Sequence, residues 1–178
     1  VRRKAQMQSL DVASTIAEIA VGLAGFSGLA LVLGRRQDRL TSVEKYRLIL
    51  LLTPSLLALF LAVAPLALLE TGIRPLVLWR AASGVQALIC VGLVVGFAPW
   101  TGRVMREAPE IFHWPQFTLV AGGYVVNGLL QGLHAAGFFG SQNAGIYLVG
   151  LVFLLLHAGH QFVRILLVRP SPRIPSRS

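Results

Sequence analysis

Long apolar runs recur five times along the chain, over residues 12–34, 48–69, 75–98, 117–139 and 144–168. Each exceeds the ~20 residues with which a helix crosses a hydrocarbon core. None alternates with the period of two that a membrane barrel strand requires, and the run 48–69 carries no charge. The pattern predicts an all-α fold: a polytopic transmembrane helical bundle forming a single domain over 1–168. Thr41-Ser42-Val43-Glu44 reads as a capping box opening the second helix. Pro99 is expected to end the third helix, and Pro115 marks the start of the fourth. Trp79, Trp100 and Trp114 sit at or near segment ends, where amphipathic rings anchor at the headgroups. The tail 169–178 is too poor in apolar residues to fold and is read as a disordered basic cytoplasmic extension.

Composition strengthens this picture. Of the 178 residues 55% are hydrophobic and 13% charged, with a mean hydropathy of +0.71. Soluble domains average about 25% charged residues, so the balance points to lipid as the solvent. The net charge of +9 would suit nucleic acid, but the cations lie mainly between the apolar runs, where they meet anionic headgroups and orient the chain. Arg35, Arg36, Arg39, Lys45, Arg47, Arg103, Arg106, Arg164, Arg169, Arg173 and Arg177 share one side if there are five spans. The smaller set Arg2, Arg3, Lys4, Arg74 and Arg80 falls on the other. The expected placement is therefore a bacterial-type inner membrane with the C-terminus in the cytoplasm. The first segment admits a second reading as re-entrant, which would bring the N-terminal cations inside. Its length favours spanning. It ends Leu33-Gly34-Arg35-Arg36 without a small-x-small cleavage site, so as a signal it would remain an uncleaved anchor. Cys90 is the one cysteine, which excludes an intrachain disulfide, and no metal or cofactor is expected.

Polar residues inside the apolar runs carry the candidate chemistry. Glu18 is an acid well within the first segment, and burying it costs at least ~2.5 kcal/mol on insertion scales. Helical spacing aligns Asp11, Thr15, Glu18, Gly22 and Gly25, and Gly22, Gly25 and Gly28 suggest a close-packing face. Alternatively, Thr15-Ile-Ala-Glu18 is itself a capping box that would place Glu18 at the headgroups. Tyr124, Asn127, Gln131 and His134 form one stripe on the fourth helix. The fifth offers His157, His160 or Gln161, and Arg164; the third offers Arg80, Ser83, Gln86 and Cys90. Such faces act either as hydrogen-bonding glue, worth about 0.6 kcal/mol per contact, or as the lining of a solvated route. Axial rise sets His157 near Asn127 and well below His134, which strains a shared haem. With the N-terminus outside, Glu18 reaches the level of Arg80 and His134; with it inside, Glu18 approaches the level of His160 and Arg164.

The leading expectation is a non-enzymatic channel or carrier for protons or small ions, with Glu18, Arg80, Asn127, Gln131, His134 and His157 along its pathway. The alternative is a membrane scaffold or partner-binding subunit, acting as a homo-oligomer or with another membrane chain. A haem-binding protein or intramembrane enzyme is third.

Three resemblances bear on these readings. Gly25-Phe-Ser-Gly28 and His134-Ala-Ala-Gly137 resemble the serine and histidine motifs of rhomboid intramembrane proteases. That family carries its serine on the fourth of six helices, not on the first of five. Ala17-Glu18 resembles the first-helix glutamate of small multidrug resistance transporters, which are shorter, four-helix proteins. Thr15-Ile-Ala-Glu-Ile-Ala-Val-Gly-Leu-Ala-Gly-Phe-Ser-Gly28, with the arginine loop and second helix after it, resembles uncharacterised bacterial multi-pass membrane proteins. The last resemblance implies no activity.

Overall fold

The computed structural model describes residues 2–33, 42–109, 114–139 and 144–167. Among them the chain is an all-α bundle of five helices: α1 (Arg2–Leu33), α2 (Ser42–Leu69), α3 (Pro75–Glu107), α4 (Trp114–Ala136) and α5 (Gly145–Leu167). Four of these, α1, α2, α3 and α5, are long and apolar enough to cross a membrane. The first segment thus meets the criterion through Gln8–Phe26. α4 matches them in kind but not in hydropathy, because Asn127, Gln131 and His134 interrupt its apolar residues.

The α2–α3 turn and the end of α4 each use a glycine in the left-handed region, Gly72 (φ 80°) and Gly137 (φ 89°). Both are cheap only for glycine. Beyond His134 the N–H groups of Gly137 and Phe138 return to the carbonyls of His134 and Leu133, closing α4 at Ala136. Pro75 opens α3 where its missing N–H has no helical partner to lose. Thr41, the first residue of the expected capping box, and the tail 169–178 lie outside the described residues.

Two local expectations are corrected. Pro99 does not end α3, which continues to Glu107. The extension buries Thr101 and Val104, its Thr101 hydroxyl shares a 2.5 Å hydrogen bond with Tyr46, and Ser42 Oγ donates to Glu107 Oε2 at 2.8 Å. These contacts with α2 offset the one backbone bond that proline deletes. Nor does Thr15 cap a helix start: α1 is already helical from Arg2, and Thr15 Oγ1 donates to the carbonyl of Asp11 at 3.0 Å.

Two prolines lie inside α2, Pro54 and Pro65. A proline at position i cannot donate to the carbonyl at i−4, and in lipid that carbonyl needs another donor. For Pro65 the freed acceptor is Leu61, and the hydroxyl of buried Tyr147 on α5 donates to it. Trp79 of α3 packs against the Tyr147 ring at a centroid distance of 5.7 Å. The α2 defect is thus satisfied by α5.

Small residues set the close approaches. Among the described residues α1 packs on α2 and α5 alone, laying Ala13, Ile16 and Ala20 into a core with Ala58, Leu61 and Ala62. α3 and α4 form the most intimate pair: a Cβ at Gly84 would lie 3.6 Å from Ala135 Cβ, and one at Gly128 only 3.2 Å from Cys90 Cβ. The glycines expected to pack, Gly22, Gly25 and Gly28, have nothing within 4 Å of an added Cβ. Within this chain the packing face of α1 is its alanine face, because Ile16 and the alanine methyls supply contact area that glycine lacks.

Candidate functional site

The polar faces of α3, α4 and α5 converge into one buried column. It begins where Gln161 Nε2 meets His157 Nε2 at 3.0 Å and continues from His157 Nδ1 to the Tyr124 hydroxyl at 2.6 Å. One turn along α4, Asn127 Nδ2 donates to the carbonyl of Gly150 at 3.4 Å and lies 3.6 Å from the Cys90 sulfur. Gln131 Nε2 donates to the carbonyl of Ile146 at 2.8 Å and lies 3.4 Å from Asn127 Oδ1. The far end is a 2.7 Å hydrogen bond between Ser83 Oγ and His134 Nδ1, with the Arg80 guanidinium close by over Gly137. At the helical rise the column covers roughly 20 Å, a large part of a hydrocarbon core.

Gly150 makes the middle of this column possible. A Cβ there would lie 2.8 Å from Asn127 Oδ1 and closer still to Gln86 Nε2 and Gln131 Nε2. Three carboxamides therefore gather against bare α5 backbone. They are not fully satisfied: Gln86 Nε2 and Oε1, Gln131 Oε1 and His134 Nε2 are buried without a protein hydrogen-bond partner. Gln86 and Gln131 are 0% exposed and His134 is 1% exposed. A buried polar group without a partner costs ~1–3 kcal/mol, so four such atoms in one column mark a place suited to water or a small polar guest.

At the Gln161 end the column opens into a partly open cavity of about 80 Å³ between α2, α3, α4 and α5. Tyr124 and His157 lie at its buried end, and His160, Gln161 and Arg164 line it along α5.

Of the residues expected on the pathway, Asn127, Gln131, His134 and His157 all enter the column, and Arg80 flanks its end. His157 pairs with Tyr124, whereas Asn127 faces Gly150, one helical turn away. Glu18 does not join them. It is exposed, on a helix that among the described residues makes no contact with α3 or α4, so it is not the partner of Arg80 and His134 within one chain. Asp11, Thr15, Glu18, Gly22 and Gly25 line the side of α1 opposite Ala13, Ile16 and Ala20. Serine 83 and Gln86 share a face with Arg80 and Cys90 in the sequence, but nothing there shows that Gln86 would lack partners.

Compared with family models, curated proteins and solved structures, the chain gives no match.

Proposed function

We propose that this integral membrane protein passes protons or small ions along the α3–α4–α5 column, without catalysing a reaction. The observation that carries this reading is the run of buried polar groups from Gln161 to His134 whose unpartnered atoms, on Gln86, Gln131 and His134, call for mobile water or a passing ion. Tyrosine, histidine and serine can both donate and accept, as proton relay requires. The distribution of Lys and Arg supports an inner-membrane placement with the C-terminus in the cytoplasm. The test is proton flux into proteoliposomes carrying an internal pH dye. Wild type should conduct. Gln131→Leu and His134→Ala should each lower the rate at least tenfold while the helical content is kept. Glu18→Gln should not change it. A wild-type rate equal to that of empty liposomes refutes the proposal.

The exposed side of α1 favours a second reading, a partner-binding subunit. An acid at mid-span is expensive in lipid, and Gly22, Gly25 and Gly28 leave open room beside it for another helix. A second copy or a membrane partner would cover both. Gly25→Leu should then abolish the complex seen by crosslinking in membranes, and an unchanged complex speaks against this reading.

A further inference from the structure

We infer that Glu18 of one copy pairs with Arg80 of a second copy, the glycine face of α1 docking on the lipid-facing side of α3. This rests on the partner-binding reading of α1 and names its partner. Within one chain the two groups sit apart, because among the described residues α1 makes no contact with α3 or α4. Glu18 is exposed and Arg80 half-buried, and among the described residues no ion pair holds either. A charge left alone in a span is costly in lipid, and these two have opposite signs.

Both lie at one membrane level. α1 and α3 are separated in the chain by a single helix and so run the same way. Ile16 and Ala20, on either side of Glu18, pack into the core that holds Leu61. The Leu61 carbonyl accepts from Tyr147, whose ring meets Trp79, the residue before Arg80. Acid and guanidinium therefore fall within about one helical turn, ~5 Å, along the membrane normal. The shapes agree in the same register. Gly25 lies about 10 Å of helical rise beyond Glu18, and Leu88 about 12 Å beyond Arg80. Gly25 has open space where a Cβ would stand, whereas Leu88 is 74% exposed. One turn on, open Gly28 and exposed Val91 repeat the match. Leu88 and Val91 lie within about a quarter turn of Arg80 around α3, so one approach brings charge to charge and branched side chain to glycine. The two surfaces are unlike, and the contact is head-to-tail between copies.

The test is disulfide formation in membranes between two differently tagged full-length copies, both Cys90→Ala. One copy carries Gly25→Cys and the other Leu88→Cys. Oxidation should join the two tags at least tenfold more than when Phe60→Cys, on the exposed side of α2, replaces Leu88→Cys. Arg80→Glu in the Leu88→Cys copy should lower the yield at least fivefold. Adding Glu18→Arg to the Gly25→Cys copy should restore it, which a merely misfolded Arg80→Glu chain would not allow. Equal yields from Leu88→Cys and Phe60→Cys, or a yield that Arg80→Glu leaves unchanged, overturn the inference. Gly25→Cys joining only to Gly25→Cys also overturns it, but leaves the partner-binding reading standing with α1 of the second copy as partner. If the two tags never copurify, a second copy is not the partner, and the Gly25→Leu crosslinking experiment alone decides whether another membrane chain is.

Discussion

Tyr147 and Pro65 should be energetically coupled, and the coupling is measurable as a double-mutant cycle. Pro65 leaves the Leu61 carbonyl without its helical donor, and the Tyr147 hydroxyl takes that place from α5. Tyr147 is 1% exposed, so Tyr147→Phe admits no water to replace the lost bond. An orphaned buried carbonyl costs ~1–3 kcal/mol, while measured interhelical bonds in membranes average about 0.6 and reach about 1.7 kcal/mol. A loss of about 1–1.5 kcal/mol is therefore expected for Tyr147→Phe alone. Pro65→Ala restores an N–H that can donate to Leu61 within α2. In that background Tyr147→Phe should cost less than about 0.5 kcal/mol, leaving a coupling of ~1 kcal/mol. The assay is reversible unfolding in mixed micelles of mild detergent and dodecyl sulfate, followed by far-ultraviolet circular dichroism, with all four proteins compared. Equal losses in both backgrounds, within the ~0.3–0.5 kcal/mol of ordinary additivity, would show that the tyrosine does not serve the proline's carbonyl.

Other consequences are as direct. Gly150→Ala should displace the carboxamides of Gln86, Asn127 and Gln131 and destabilise the bundle by about 1–3 kcal/mol in the same micelle titration. A change under about 0.5 kcal/mol would mean that the amides do not crowd α5. A Cβ at Gly25 has nothing within 4 Å among the described residues, so Gly25→Leu should leave monomer stability within about 0.5 kcal/mol of wild type even if assembly is lost. Ser83→Ala removes the hydroxyl partner of His134 Nδ1 and should slow proton flux while Ser83→Thr preserves it. Equal rates in the two variants would remove Ser83 from the route.

Much of the fold is legible in the sequence because lipid leaves few solutions. A run of twenty apolar residues must satisfy its backbone internally, so the positions of α1, α2, α3 and α5 follow from hydropathy, and α4 follows from its length and its one-sided polar stripe. The stripe Tyr124, Asn127, Gln131 and His134 is equally readable, since spacings of three and four fix a face without reference to any neighbour. Pairing is different. Whether His157 meets Asn127 or Tyr124 turns on the relative register of α4 and α5, and a shift of one turn separates the two outcomes. Glu18 drew attention as an acid in an apolar run, but its direction depends on which face of α1 docks. Ala13, Ile16 and Ala20 win that competition, and the acid is turned outward. The local rule for Pro99 failed because contacts from Tyr46 and Ser42, more than fifty residues away in the chain, hold the end of α3 in place. No window of sequence contains both partners.

The restriction of α1 to two neighbours has a consequence in time. α1 is made before the other four helices, and its alanine face can meet α2 as soon as the α1–α2 hairpin exists. The rest of its docking surface is on α5, which is made only after α3 and α4. Throughout synthesis of α3 and α4 this helix is only half seated, with its acid and glycines facing outward. A companion helix can therefore engage α1 before α5 is made, and such an association would be co-translational in origin.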